Sequence, residues 1–305
     1  MSSSLRLTSV GHELDLSPVC FGSLKNSIEM IGDAEVLHRQ MAEDGYLFLP
    51  GYLVREEVRA ARQVMAERLA AEGHLDPNRA VEECAARPGV DLAFRPDLAR
   101  DNAPLFHLLY EGRMMQFFEG LLGGPVLHFD FTWIRAVAPG HGTNPHCDIV
   151  YMGRGTKNLY TAWTPLGDVP FNVGGLMILE HSHQHERLNR GYGRKDVDTF
   201  CVNRREDAPQ GLGGGGTIRP GGALSLNPAK LRERLGGRWL SAEYRMGDLL
   251  VFGMFTVHAS IDNQSDEIRL SSDTRYQLQS EPADERWMGE NPIAHGPKAK
   301  KGMIC

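Results

Sequence analysis

His146 and Asp148 stand two residues apart in the run Pro-His-Cys-Asp-Ile-Val-Tyr-Met. On an extended strand alternate side chains point to the same side, so both groups can reach one metal ion while Cys147 faces away. Alone the pair is a weak signal, because a buried His bonded to an Asp is also a common structural couple. His258 follows 110 residues after Asp148, at the end of the apolar run GDLLVFGMFTVHAS. A polar imidazole there needs a partner, since bare burial is costly. It is either a satisfied core histidine or a third metal ligand. Two histidines and one carboxylate on one face of an octahedron describe the facial triad of non-haem iron(II) enzymes. That arrangement leaves positions open for oxygen and a bidentate co-substrate.

Arg269 lies 11 residues beyond His258, across the turn-like segment DNQSDE. If His258 ends one strand and Arg269 begins the next, the two share the interior of a β domain, with Ser271 on the same side as Arg269. A guanidinium buried there demands an anion. The anion is either a carboxylate ligand held in bidentate fashion or a structural partner such as Asp273 or Asp248.

The elements that must position these groups change character along the chain. Residues 33–44 have helical apolar spacing and stop at Gly45, residues 46–53 read as a strand broken by Pro50 and Gly51, and residues 54–72 give the strongest helix signal. Val58, Ala61, Val64, Met65, Leu69 and Ala70 share one face of that helix. Residues 103–121 predict one or two more helices. From residue 126 the text becomes strand-like, in VLHFDFTWIRAVAP, CDIVYM, NLYTAWTPL, GGLMILE, WLSAEYR, DLLVFGMFTVHAS and IRLSSDTRYQLQS. No regular strand–helix alternation occurs, which disfavours Rossmann and TIM-barrel folds. A closed or sandwiched antiparallel β domain fits better.

Residues 183–238 interrupt this rhythm. They hold a charged stretch with Arg187, Arg190, Tyr192, Arg194, Lys195, Arg204 and Arg205, then the run Gly213–Gly216. So long an excursion reads as an insertion packed over a site, or as a surface loop. The glycine run is not a phosphate cradle, because no Gly-Lys-Ser/Thr follows it. His181, His183 and His185 alternate and could bind a second metal, but they also fit a turn leading into the insertion.

Composition excludes more than it selects. A net charge of -6 gives no basic field for nucleic acid. Five scattered cysteines (Cys20, Cys84, Cys147, Cys201 and Cys305) form no CxxC and no disulfide framework, so a reducing, cytoplasmic setting is expected. The opening MSSSLRLTSV lacks a signal-peptide core, and no run approaches the roughly 20 apolar residues of a membrane span. A soluble enzyme with a small-molecule substrate, and with neither nucleic-acid nor membrane partners, is the expectation.

Taken together, the ordered motifs resemble the phytanoyl-CoA dioxygenase (PhyH) family of iron(II) and 2-oxoglutarate-dependent oxygenases. The resemblance spans roughly residues 40–280. It rests on HCD at 146–148, NLYTAWTPLGDV at 158–169, NVGGLMILEHSH at 172–183, GDLLVFGMFTVHAS at 247–260 and RLSSDTRYQ at 269–277. Where the family often has Pro-Gly-Ser-His, this chain has Glu180-His181-Ser182-His183. The resemblance implies a mainly β fold with flanking helices, built on a double-stranded β-helix (jelly-roll or cupin-like) core. It implies one catalytic domain over 1–305: an arm at 1–30, a mainly helical region at 31–125, the β core at 126–280 carrying the 183–238 insertion or lid, and a tail at 281–305. It further implies Fe(2+) held by His146, Asp148 and His258, O2 and 2-oxoglutarate as co-substrates, and Arg269 clamping the far carboxylate of 2-oxoglutarate. Trp163 falls on the strand beside the co-substrate, although it also reads as a core aromatic. Ser271 and Thr256 are possible donors to the same ligand. An intact carboxylate at Asp148 favours hydroxylation over halogenation. Desaturation, cyclisation, epimerisation and a silent small-molecule-binding β domain are the alternatives.

Overall fold

The structure, a computed structural model, describes residues 5–201 and 222–303. A short hairpin, β1 (Thr8–Ser9) and β2 (His12–Glu13), and β3 (Phe21–Ser23) precede the first helix, α1 (Ala34–Asp44). The Asp33 side chain accepts from the Val36 amide to start α1, and Gly45, in the left-handed region at φ 78°, ends it. Strand β4 (Tyr46–Leu49) follows, then α2 (Arg55–Ala71), α3 (Ala103–Tyr110) and α4 (Gly112–Leu122). The predicted stripe of α2 is present, with Val58, Ala61, Met65 and Leu69 buried. The region read as one or two helices is two. Asn102 caps the first through the Leu105 amide, and Pro104 sits in its first turn.

The second half contributes β5 (Val126–His128), β6 (Trp133–Val137), α5 (Ile149–Met152), β7 (Tyr160–Pro165), β8 (Leu176–Leu179), α6 (Glu186–Arg190) and β9 (Thr199–Cys201). After these come α7 (Pro228–Leu235), β10 (Trp239–Ser241), β11 (Leu249–Gly253), β12 (His258–Ser260), β13 (Arg269–Leu278) and β14 (Lys301–Met303). The larger sheet has the order β4-β11-β7-β13-β5, with β6 also paired to β13. The smaller has the order β12-β8-β10-β3.

Side chains alternate across the larger sheet, and the two faces have different tasks. Even-numbered β13 residues such as Leu270 and Tyr276 join Leu47, Leu49, Ala162, Leu249 and Val251 against α2, α3 and α4. Tyr276 stacks on Phe118 at 4.0 Å between centroids. The opposite face meets the smaller sheet: Tyr46, Phe48, Trp163, Leu250 and Phe252 pack with Leu176, Ile178 and Leu240. Register places Thr161 opposite Arg275, Trp163 opposite Asp273 and Pro165 opposite Ser271, while β6 sets Val137 opposite Arg269 and Arg135 opposite Ser271. One face of the sheet therefore gathers two polar strands of chemistry.

The expectation of a mainly β, double-stranded β-helix (jelly-roll or cupin-like) core is not met. The fold is mixed α/β: helix and strand contribute comparably, and none of the sheets closes into a barrel. Two apolar runs account for the difference. CDIVYM reads as a strand, but Ile149–Met152 is a helical turn. DLLVFGMFTVHAS reads as one long strand, but it ends at Gly253 and resumes at His258, so that β11 lies in the larger sheet and β12 in the smaller. Short strands shared between open sheets and capped by helices replace a continuous wall.

Lys301–Met303 pairs in parallel with Thr199–Cys201. Of the 183–238 insertion, the glycine run, Arg204 and Arg205 lie outside the described residues. Cys20, Cys84 and Cys147 are buried free thiols. No helix among the described residues is long and apolar enough to cross a membrane.

Candidate metal centre

His146, Asp148 and His258 meet as the sequence predicts, but by a different local route. His146 and His258 form an isolated antiparallel bridge, each donating its backbone N–H to the other's carbonyl at 3.0 Å. Asp148 stands at the N-terminus of α5 rather than on a strand. His146 Nδ1 lies 2.7 Å from the Asn144 carbonyl and His258 Nδ1 lies 3.0 Å from the Thr256 carbonyl. A carbonyl only accepts, so each Nδ1 carries the proton and each Nε2 presents its lone pair. Both Nε2 atoms face Asp148 Oδ1, at 3.8 Å from His146 and 3.7 Å from His258. One donor atom from each residue falls within 4.8 Å of the others.

The electrostatics put these groups in the protonation states a metal requires. Burial, reinforced by His258, pushes the His146 pKa down to about 3. Burial also lowers that of His258. For Asp148 burial acts upward, but its neighbours, led by the charge of Arg275, outweigh it and hold the carboxyl well below its ordinary range. The buried set is therefore two neutral imidazoles and one carboxylate. This donor set fits ferrous iron with open positions.

Asp148 is oriented through its second oxygen. Oδ2 accepts from Thr161 Oγ1 at 2.5 Å and from Arg275 NH2 at 2.9 Å, which leaves Oδ1 turned to the histidines. The Arg275 guanidinium lies 4.2 Å from the centroid of Trp133. Sequence reasoning missed Thr161 and Arg275, yet strand parity was a usable signal. Thr161 is two residues before Trp163, and Arg275 is six beyond Arg269.

Arg269 is buried on the same face of β13. Its NH1 donates to the Gly174 carbonyl, while Nε has no partner among the described residues. Gly174 has φ +85°, and a Cβ there would meet Ile261 O at 2.5 Å, so the backbone can present that carbonyl only with glycine. Neither proposed structural partner pairs with Arg269. Asp273 is engaged by Arg135 Nε at 3.2 Å, and Asp248 accepts from the Gly51 and Arg245 amides, both at 2.8 Å. Burial, together with nearby Arg135, pushes the Arg269 pKa down to about 10.

The remaining predicted residues have separate placements. Ser271 is fully buried on the Arg269 face, and its hydroxyl has no partner among the described residues. Trp163 is buried between the sheets, with its ring 4.7 Å from that of Tyr244. Thr256 sits between β11 and β12 and donates to the Gly45 carbonyl at 2.8 Å. The histidine cluster does not converge: Nδ1 of His181 and Nε2 of His183 contact carbonyls at the end of α1, and His185 Nδ1 accepts from the Leu188 amide. His146, Asp148 and His258 are the metal-capable cluster among the described residues.

A cavity of about 480 Å³ opens onto His146 and Asp148. Arg135 and Arg275 line it, and Phe131, Trp133, Met152 and Trp287 give it apolar walls. Arg135 NH1 and NH2 have no protein partner among the described residues, since its Nε alone bonds Asp273.

With this geometry the comparisons with known proteins agree. The chain belongs to the phytanoyl-CoA dioxygenase (PhyH) family, which it matches over residues 41–271. It is 30% identical over 284 residues to the 1-deoxypentalenic acid 11-beta-hydroxylase of Streptomyces exfoliatus, covering 89% of both chains. It is 28% identical over 293 residues to the enzyme of the same description from Streptomyces arenae, covering 92% of both. Among solved structures, the 2-oxoglutarate-dependent epimerase SnoN from nogalamycin biosynthesis shares the fold at TM-score 0.54 and 20% identity, covering 87% of this chain and 94% of that one. Family and triad together define an iron(II)/2-oxoglutarate-dependent oxygenase acting on a small metabolite.

Proposed function

We propose that the chain hydroxylates a compact, largely apolar carboxylic acid, with Fe(II) at His146, Asp148 and His258 and the far carboxylate of 2-oxoglutarate at Arg269. The observation that carries the co-substrate assignment is a buried guanidinium that, among the described residues, has an unpartnered Nε and no carboxylate in ion-pair range, on the strand whose next inward residue, Ser271, also has an unpartnered hydroxyl. Buried charges are paired in stable proteins, so such a site calls for an anionic ligand. The acid class of the substrate is supported by two features. One is the description of the hydroxylases to which the chain is similar. The other is Arg135, which lines the cavity beside Arg275 and whose terminal nitrogens have no protein partner among the described residues.

When bound, ferrous iron with 2-oxoglutarate and dioxygen supplies the oxidising power that converts a substrate C–H into C–OH, with 2-oxoglutarate leaving as succinate and carbon dioxide. The protein's own groups do the positioning. Thr161 and Arg275 fix the Asp148 carboxylate, and the Asn144 and Thr256 carbonyls fix the imidazole tautomers. Arg269 and Ser271 offer donors to a carboxylate, while Trp133, Phe131 and Trp287 give the cavity apolar walls.

Anaerobic titration with Fe(II) and 2-oxoglutarate, then succinate release and oxygen incorporation with 1-deoxypentalenic acid, tests this reading. Wild-type protein is expected to bind both and to give product one oxygen heavier, and His146→Ala to lose iron. Native iron affinity with full activity in His146→Ala would overturn the ligand assignment.

A further inference from the structure

The C-terminal segment supplies a wall of the metal cavity. His295 lines the cavity together with His146 and Asp148. Its Nδ1 lies 2.8 Å from Asp198 Oδ2. Asp198 is fully buried and also accepts from Arg286 NH1 at 2.7 Å and Lys300 Nζ at 2.8 Å. The His295 ring is wedged edge-on between Trp287, at 4.7 Å, and Tyr151, at 5.7 Å. A carboxylate accepts, so Nδ1 carries the proton and Nε2 is left on the opposite side of the ring. Nε2 has no protein partner among the described residues.

A latch for the C-terminal segment accounts for Arg286 and Lys300, both of which end on Asp198. It does not account for an imidazole fixed at one nitrogen by a buried acid, held between two rings, and lining the cavity of the metal centre. We infer that His295 is a substrate-contact residue and Asp198 its positioning residue: Nε2 hydrogen-bonds an oxygen of the substrate and so selects which C–H bond faces the triad. In the neutral ring Nε2 accepts from a hydroxyl or a protonated acid, and in the protonated ring it donates to a carboxylate. This inference rests on the proposed hydroxylation of a small acid, and it adds a determinant of regiochemistry outside the metal site.

The test compares wild type with His295→Phe, which keeps a ring between Trp287 and Tyr151 but removes both nitrogens. With 1-deoxypentalenic acid as the probe, the expected result is a rise in KM of about tenfold, the equivalent of one lost hydrogen bond. More succinate is then released per hydroxylated product, and the product is less uniform in position. Formation of the Fe(II)–2-oxoglutarate charge-transfer band before substrate addition is expected to match wild type. His295→Gln, which keeps a polar end, should recover part of the coupling. His295→Leu gives the same readout should the phenylalanine variant melt early. A KM and coupling ratio within about twofold of wild type in the nitrogen-free variant would overturn the inference. Wild-type protein that forms the Fe(II)–2-oxoglutarate band but neither binds nor oxidises the probe would overturn it together with the substrate class, while leaving the metal centre intact. Failure of wild type to form that band would instead refute the underlying oxygenase reading.

Discussion

Replacing Arg269 by methionine should stabilise the ligand-free protein while crippling its use of 2-oxoglutarate. The guanidinium is buried, bonded at NH1 to the Gly174 carbonyl and, among the described residues, in ion-pair range of no carboxylate. Burial, which penalises the charge, lowers its pKa from the ordinary guanidinium value to about 10. Neutral pH lies below both values, so the whole penalty acts on the folded state, and the fall corresponds to roughly 3 kcal/mol. Methionine removes the charge and keeps an unbranched, space-filling side chain. Losing the bond to Gly174 gives back about 1 kcal/mol. The net gain of about 2 kcal/mol should raise the melting temperature of the metal- and 2-oxoglutarate-free protein by about 4 °C or more. Affinity for 2-oxoglutarate should fall by about 3–4 kcal/mol, roughly 100- to 1,000-fold, because a desolvated charge pair is lost from the complex. Thermal melting of the apo protein and anaerobic titration of the Fe(II) protein with 2-oxoglutarate read the two effects separately. A lower melting temperature would show that Arg269 is held by structural partners, and 2-oxoglutarate affinity within about threefold of wild type would remove it from the co-substrate site.

Three further outcomes follow from the same geometry. Thr161→Val deletes the 2.5 Å donor to Asp148 Oδ2 without changing charge or shape, and iron affinity should fall about 10- to 100-fold by metal titration. Arg135→Leu should raise KM for a carboxylate substrate by about tenfold or more while sparing that for its methyl ester; equal effects on both would remove Arg135 as the carboxylate partner. Asp198 is held well below the carboxylate range by His295, Lys300 and Arg286 against the upward pull of burial, and Asp284 is lowered by Arg286 against the same pull. Their stabilisation is fully present above about pH 4 and is lost as pH falls below it. Acidification should therefore expose Trp287 before the helical layer melts, read by tryptophan fluorescence against far-ultraviolet dichroism.

The ligand set was legible because few residue types make a facial triad, and because His146, Asp148 and His258 keep their order and spacing whatever backbone carries them. The route was less legible. Two residues that share a side on a strand can also converge from a bridge and a helix N-terminus, which is how His146 and Asp148 meet. The helical first third was clear because α2 repeats its apolar residues at helical spacing over 17 residues. The β region was not, because its strands are short and a run of apolar residues does not reveal where the chain leaves one sheet for another, as it does between Gly253 and His258. Arg275 and Thr161 were within reach of the parity reasoning that selected Ser271. His295 was not: nothing local marks it, and its role depends on Asp198, nearly 100 residues away in sequence.

The two faces of β13 make this strand intolerant of one class of change. Substitutions at Leu270 or Tyr276 act on the contact with α4 and its neighbours, and substitutions at Arg269, Ser271 or Arg275 act on the opposite face, where Arg275 holds Asp148. Deleting or inserting a single residue within 269–275 would exchange these faces, driving a guanidinium into the helical layer and a leucine or tyrosine toward the metal. Across relatives of this chain, this segment should therefore diverge by replacement and keep its residue count. Engineering of the pocket is best confined to point changes here, with length variation left to the connections on either side.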